Sequence, residues 1–84
     1  MTDTDEYARQ IEEHIPGSRA TVVGEGGKFE ATVISDAFEG RNLLAKHRMV
    51  YAALDPHIKS GAIHALSIRA YTPAEWGEVG GEAQ

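Results

Sequence analysis

The sequence predicts an α+β fold, with a three-stranded sheet covered mainly on one face by helices. Apolar residues alternate between helical and strand spacing along the 84 residues, in the order α-β-β-α-α-β-α. The composition, 42% hydrophobic and 25% charged, is that of an ordinary globular domain. We therefore expect one domain over residues 1–76, followed by a flexible tail at 77–84 with little apolar content.

The first part of the chain predicts a helix and a β-hairpin. Apolar side chains repeat at helical spacing from Tyr7 to Ile15, and Pro16 ends that helix. Two strands are then expected at 20–23 and 29–35. A glycine-rich stretch lies between them, and glycine allows the positive φ of a tight hairpin turn.

The middle of the chain predicts two helices. The first spans 42–54, where an apolar stripe repeats at helical spacing and leaves Lys46 and Arg48 away from its centre. The stripe consists of Leu43, His47, Val50, Tyr51 and Leu54. Because proline is favoured at the first position of a helix, Pro56 predicts a break and a short further helix that ends at Gly61.

The last strand is predicted over 61–71, with a histidine in its apolar face. His64 is in step with the apolar residues at 66, 68 and 70, so the four side chains would share one face. Since His64 opens the strand, its ring could present one nitrogen outward while a hydrogen bond fixes the other, as a metal ligand requires. A final short helix follows Thr72, an N-cap with proline next to it.

Several classes of chemistry are excluded by what the chain lacks. Without cysteine it has no disulfides, thiolate nucleophiles or cysteine-based zinc sites. No two histidines recur at the i, i+4 spacing of metal ligands on one helix, and no serine nucleophile motif or complete phosphate-binding loop is present. We therefore expect no enzymatic activity. No apolar run reaches the length of about 18 residues that a membrane span needs, so we expect a cytoplasmic protein without a membrane partner.

The net charge of −5 is distributed unevenly along the chain. Residues 1–40 carry three Lys and Arg against nine Asp and Glu, whereas residues 41–71 carry five basic residues against one acidic residue. A basic middle in an acidic chain can bind nucleic acid, an acidic protein surface or a small anion. The same charges are equally compatible with solvated helix faces.

Five ordered motifs together resemble the BolA-like family, including its IbaG branch. The resemblance extends over residues 6–76, nearly the whole expected domain. Its elements are Phe29 with the strand after it, SDAFEG at 35–40, KHRMVY at 46–51, IHAL at 63–66 and TPAEW at 72–76. The resemblance implies a class II K-homology-like fold, which agrees with the element order predicted from the residue pattern.

The resemblance also implies a shared metal cluster. BolA-like proteins pair with monothiol (CGFS-type) glutaredoxins, and the pair shares a [2Fe–2S] cluster to which the glutaredoxin cysteine and a glutathione thiolate are ligands. The histidine of the HAL motif, here His64, is the ligand from the BolA-like side, and no cofactor is expected on the isolated chain. The partner's thiolates would explain the missing cysteines. Histidine in place of thiolate raises the reduction potential of such a cluster.

One loop departs from the family pattern. Relatives often place a second His or Cys ligand between the first two strands, but residues 24–28, GEGGK, contain neither. Glu25 offers a carboxylate, although oxygen suits a sulfide cluster poorly, and Lys28 would favour anionic groups such as the carboxylates of glutathione. His64 would then act with a different fourth ligand, the cluster would bind more weakly, or the two proteins would associate without sharing one.

A rival hypothesis is DNA binding and transcriptional regulation, since some BolA-like proteins are similar to transcription factors in activity. The basic helix pair at 42–60 has a helix-turn-helix appearance. The candidate contacts to a partner or to nucleic acid are Lys28, Arg41, Lys46, His47, Arg48 and Lys59. The acidic whole and the lack of a G-x-x-G loop of the K-homology type argue against DNA. An open edge of the sheet would also permit a homodimer.

Overall fold

A three-stranded sheet carries two long helices on one face, and a short helix follows the last strand. The computed structural model describes residues 3–79. Its elements are α1 (Asp3–His14), β1 (Arg19–Glu25), β2 (Lys28–Ile34), a 3-10 helix (Asp36–Phe38), α2 (Leu43–Lys59), β3 (Ala65–Tyr71) and α3 (Pro73–Glu78). The α+β class and the predicted element order are confirmed, but the two middle helices are the 3-10 helix and α2, whereas the sequence placed them at 42–54 and from Pro56 to Gly61.

The sheet has the order β1-β2-β3 and joins a hairpin to a parallel strand. β1 and β2 are antiparallel, and β2 and β3 are parallel. Register pairs Val22 with Ala31 and Ala31 with Ile68, so these side chains share one face. The opposite face carries an ion pair of 3.2 Å between Glu30 and Arg69 and is largely open to solvent. The strand alternation therefore defines one core face, as the sequence predicts.

The hydrophobic core lies between that face and the two long helices. Its fully buried members from outside the sheet are Ile11, Ile15, Phe38, Val50 and Leu54. Phe38 reaches the core because Ser35 caps the 3-10 helix, its hydroxyl accepting a hydrogen bond from the backbone N–H of Ala37 at 3.0 Å. The core therefore draws on α1, α2 and the connection between β2 and α2.

The expected helix break before Pro56 is wrong. α2 continues from Leu43 to Lys59 with Pro56 inside it, and the N–H of Ser60 still donates to the carbonyl of Pro56 at 3.0 Å. The proline removes one donor from the ladder, but burial of Leu54 in the core keeps the helix in place around it. Residues 43–59 are therefore one helix, and the proposed helix-turn-helix pair at 42–60 does not exist.

The expected start of the last strand is also wrong. β3 begins at Ala65, because the chain first turns through Gly61, at φ +86°, and the N–H of Ile63 donates to the carbonyl of His57 at 3.0 Å. His64 therefore precedes the strand, and its side chain is exposed instead of lying in the apolar face.

The C-terminal end of the domain is a capped helix. The expected cap at Thr72 is confirmed, and Glu75 completes a capping box. α3 extends to Glu78, two residues into the expected tail at 77–84, and residues 80–84 of that tail lie outside the described part. None of the helices within residues 3–79 combines the length and the apolar character that a membrane crossing demands.

Candidate functional site

Two backbone hydrogen bonds attach His64 to the hairpin turn. The N–H of His64 donates to the carbonyl oxygen of Gly27 at 2.7 Å, and the N–H of Ala65 donates to the same oxygen at 3.1 Å. The parallel pairing of β2 with β3 begins at this point, where Lys28 is opposite Ala65. The backbone of His64 is therefore held by the end of the sheet, while its imidazole remains exposed.

The imidazole of His64 occupies the space that a side chain on Gly27 would fill. A Cβ atom built on Gly27 would overlap the Cδ2 atom of His64, and it would lie 3.2 Å from Cγ and 3.4 Å from Nε2. Gly27 also has φ +83°, a conformation that side chains disfavour. Two separate requirements, one of backbone and one of space, therefore demand glycine at this position.

The neighbouring turn residue meets only one of these requirements. Gly26 has φ +64°, but a Cβ built there would have no atom within 4 Å. Gly26 therefore serves the turn alone, whereas Gly27 serves the turn and the histidine. Glu25 and Lys28 are opposite each other where β1 and β2 meet this turn, and both are exposed.

An acidic depression of about 510 Å³ lies between the start of α1 and the hairpin turn. Asp3 and Glu25 are among its lining residues, and so is Tyr7. The Tyr7 ring meets Phe29 edge-on at 5.3 Å between centroids. Burial raises the pKa of the Tyr7 hydroxyl, and the carboxylate of Asp3 raises that pKa further, so this wall stays uncharged near neutral pH.

The remaining histidines described by the structure have other surroundings. His57 packs against Tyr7 at 4.6 Å between ring centroids, and its Nε2 is 2.6 Å from the side-chain oxygen of Gln10. His14 is exposed at the end of α1, and His47 is half-buried in α2. Only His64 combines an exposed ring with a fixed position at the hairpin among these four.

Lys46 is buried, which corrects the expectation that it lies away from the apolar stripe. Its side chain is 10% exposed, and its Nζ donates to both carboxylate oxygens of Glu75 at 2.9 and 3.2 Å. The backbone N–H of Thr72 and this ammonium group together hold the pKa of Glu75 below its usual value. Lys46 therefore joins α2 to α3 and is not a free cation for a ligand.

The other candidate cations do not form one basic site. Lys59 pairs with Asp55 at 3.0 Å, and the Nε of Arg41 donates to the carbonyl of Ala37 at 3.0 Å. Within residues 3–79, Lys28 and Arg48 have no ion-pair partner. Five of the six residues predicted as contacts therefore divide between bonded side chains and isolated exposed charges, and the sixth, His47, is half-buried in α2.

A family model described as BolA-like protein matches residues 7–75, and the chain belongs to this family. The resemblance predicted from the five motifs is thereby confirmed.

Individual relatives show the same relationship. The chain is 42% identical over 55 residues to the acid stress protein IbaG from Escherichia coli strain K12, which covers 66% of each chain. It is 44% identical over 62 residues to BolA-like protein 1 from Pongo abelii, which covers 74% of this chain and 44% of the relative. The matched segment thus spans less than two thirds of each of these relatives.

A solved structure of the family superimposes closely. It is that of a BolA protein homologue from Coxiella burnetii, with 42% sequence identity and a TM-score of 0.79. The match covers 92% of this chain and 99% of the homologue. The fold and the family therefore agree.

Proposed function

We propose that this protein is a non-enzymatic accessory protein that pairs with a monothiol glutaredoxin and helps to bind or traffic a [2Fe–2S] cluster. The observation that supports this proposal is the exposed imidazole of His64, which lies beside Gly27 on a backbone bonded to the hairpin turn. A ligand held in place before binding loses little conformational freedom when it meets a metal. His64 is the residue that we propose as the ligand from this chain.

The donor atoms of the chain fit one half of such a site. Within residues 3–79, no three His, Asp or Glu side chains lie close enough together to hold a metal ion. The proposal therefore takes one imidazole from this chain and the softer thiolates from the glutaredoxin cysteine and glutathione. Glu25 lies on the same turn, but its carboxylate oxygen suits a sulfide cluster less well than sulfur or imidazole nitrogen.

The cellular setting belongs to the same proposal. A chain without cysteine that receives its thiolates from a partner suits the reducing cytoplasm. The Escherichia coli relative is named an acid stress protein. From that name we extend the proposal for this chain to cluster binding under stress. DNA binding receives no comparable support, because α2 is a single helix and Lys46 and Lys59 are already paired.

The proposal predicts that His64→Ala removes imidazole ligation from the shared cluster. The protein is mixed with a monothiol glutaredoxin, glutathione, iron and sulfide, and visible absorption and circular dichroism are recorded. With wild-type protein we expect the spectrum of the mixed complex. With the variant we expect the spectrum of the glutaredoxin alone, because no other described imidazole lies at the hairpin.

His14→Ala is the matched control, since His14 is also exposed. A helix rises about 1.5 Å per residue, so His14 lies roughly 16 Å along α1 from the Asp3 end that lines the depression beside the hairpin. This variant should give the wild-type spectrum. An unchanged spectrum with His64→Ala would show that His64 is not a ligand, and size-exclusion chromatography of the apo-proteins separates association from cluster sharing.

A further inference from the structure

One side of α2 exposes large side chains that the core does not use. Leu44, Arg48 and Tyr51 recur at i, i+4 and i+7, which places them on one side of the helix. Leu44 is 59% exposed and Tyr51 is 43% exposed. The buried side of the same helix carries Val50 and Leu54 instead. An exposed leucine and tyrosine beside an arginine have the composition of a protein interface.

The charge of this side is opposite to that of the whole molecule. Residues 41–54 contain three basic residues and no Asp or Glu, in a chain of net charge −5. Glu75 already neutralises Lys46 from within the fold, whereas Arg48 is exposed and unpaired within residues 3–79. An incoming acidic group would therefore find a local positive charge without a competing internal carboxylate.

The outer edge of β3 continues this surface toward His64. On β3, the N–H of Ala65 and the carbonyl of Tyr71 form hydrogen bonds on the side of the strand that faces β2. The backbone groups of the even-numbered residues between them therefore point away from β2, toward the open edge. The hydroxyl of Tyr51 is 3.4 Å from one of them, the carbonyl of Leu66. Since Leu66 is two residues from His64, the exposed side of α2 and the candidate ligand lie next to each other on the molecular surface.

The other edge of the sheet likewise has one outward backbone group bonded to a side chain of the same chain. On β1, the carboxylate of Glu12 accepts a hydrogen bond from the N–H of Ala20 at 3.0 Å. In the described part of the chain no strand pairs with the outer edge of β3. Because an open strand edge attracts further chains and the β3 edge adjoins Tyr51, a partner seated on this side of α2 can add contacts along β3.

We propose that Leu44, Arg48 and Tyr51, with the adjoining edge of β3, form the docking surface for an acidic, partly apolar face of the thiolate-donating partner. The inference rests on the proposed function and adds the surface through which the partner is held beside His64. Exposed leucine contributes nothing to phosphate contacts, which argues for protein over DNA as the occupant. Self-association would bring the Arg48 side chains of two copies toward each other, which argues against a second copy.

The test is isothermal titration of the purified protein with a reduced, iron-free monothiol glutaredoxin, repeated with the cluster-loaded form. Leu44→Ser should weaken binding by about tenfold and Arg48→Gln by roughly threefold, the latter effect shrinking as salt rises. Val23→Ser is the control for the leucine, since Val23 is 54% exposed but lies on β1. Lys59→Gln removes the same charge from the last turn of the same helix.

The outcomes separate the two proposals. Equal affinities for Leu44→Ser and Val23→Ser would overturn the docking surface and leave His64 as a ligand. Weakened binding by Leu44→Ser together with a cluster spectrum that His64→Ala does not change would support the surface and overturn the ligand. An Arg48→Gln variant that loses affinity for duplex DNA but not for glutaredoxin would overturn the inference, and absence of all glutaredoxin binding would overturn both proposals.

Discussion

At the scale of the residue, the position of His64 depends on the absence of a side chain at Gly27. Gly26→Ala and Gly27→Ala both force a side chain onto a positive φ, at a cost of about 1–2 kcal/mol in the free energy of unfolding. Only Gly27→Ala also meets the imidazole, so it should cost more and move the ring. Urea unfolding gives the free energies, and NMR spectra of the His64 ring give its position.

Comparison of Gly26→Ala with Gly27→Ala distinguishes backbone strain at a positive φ from the contact with the His64 ring. We expect the His64 ring resonances to shift in Gly27→Ala and to remain near their wild-type positions in Gly26→Ala. Equal stability losses and equal ring spectra in the two variants would contradict the contact between Gly27 and His64.

A second prediction at this scale concerns the ion pair of Lys46 and Glu75. Because the pKa of Glu75 is lowered in the fold, its contribution to stability is complete above the ordinary carboxyl pKa and is lost as the pH falls through the lowered value. Glu75→Gln keeps a capping side chain but removes the charge. Urea unfolding should show a destabilised variant near pH 7 and convergence with wild type once the pH has fallen below the lowered pKa of Glu75.

Glu78→Gln is the control for that experiment, since Glu78 belongs to the same helix and is exposed. It should leave the free energy of unfolding unchanged across the pH range. A constant difference between wild type and Glu75→Gln at every pH would contradict the role of the charged pair.

The sequence predicted His64 as a candidate site residue but did not predict its contact with Gly27. Residue type and motif selected the histidine, while the contact with Gly27 depends on two positions far apart in sequence that only the pairing of β2 and β3 brings together. Lys46 shows the same limit, since a lysine on a helix is ordinarily exposed and its partner Glu75 lies 29 residues away. Pairwise contacts of this kind leave no local pattern to detect.

At the scale of the element, the continuity of α2 through Pro56 is the point at which local signals and the fold disagree. Proline within a helix loses a hydrogen bond and crowds the preceding turn, at a cost of about 3 kcal/mol. Pro56→Ala should therefore raise the free energy of unfolding, by about 2 kcal/mol once the greater freedom of the unfolded variant is included. Thermal and urea unfolding measure the change.

The same substitution tests the rejected alternative. If Pro56 opened a separate helix at its first position, proline would be well suited there and its replacement would leave stability unchanged or lower it. Strand and helix types were otherwise predictable, because alternation in β2 and the capping residues of α3 are local signals. The break was mispredicted because a proline has the same local appearance at a helix start and within a helix held by its core contacts.

At the scale of the whole molecule, the predicted class follows from a consistent series of elements, and the family follows from five motifs in order. Which side chains are exposed on the surface could not be predicted from the sequence in the same way. Leu43 and Tyr51 were expected in the apolar stripe of α2, yet they are 65% and 43% exposed, because the stripe is wider than the sheet that covers it. Of these two residues, Tyr51 belongs with the exposed Leu44 to the docking surface that we propose.

The hydrogen bond between Gly27 and His64 makes the position of the proposed ligand depend on completed folding. The two residues are far apart along the chain, and the carbonyl of Gly27 meets the N–H of His64 only when β3 has aligned with β2. A nascent or partly unfolded chain contains the same imidazole but has no fixed location for it. Under the function that we propose, cluster loading would be restricted to completely folded molecules, and folding would act as a check before iron is bound.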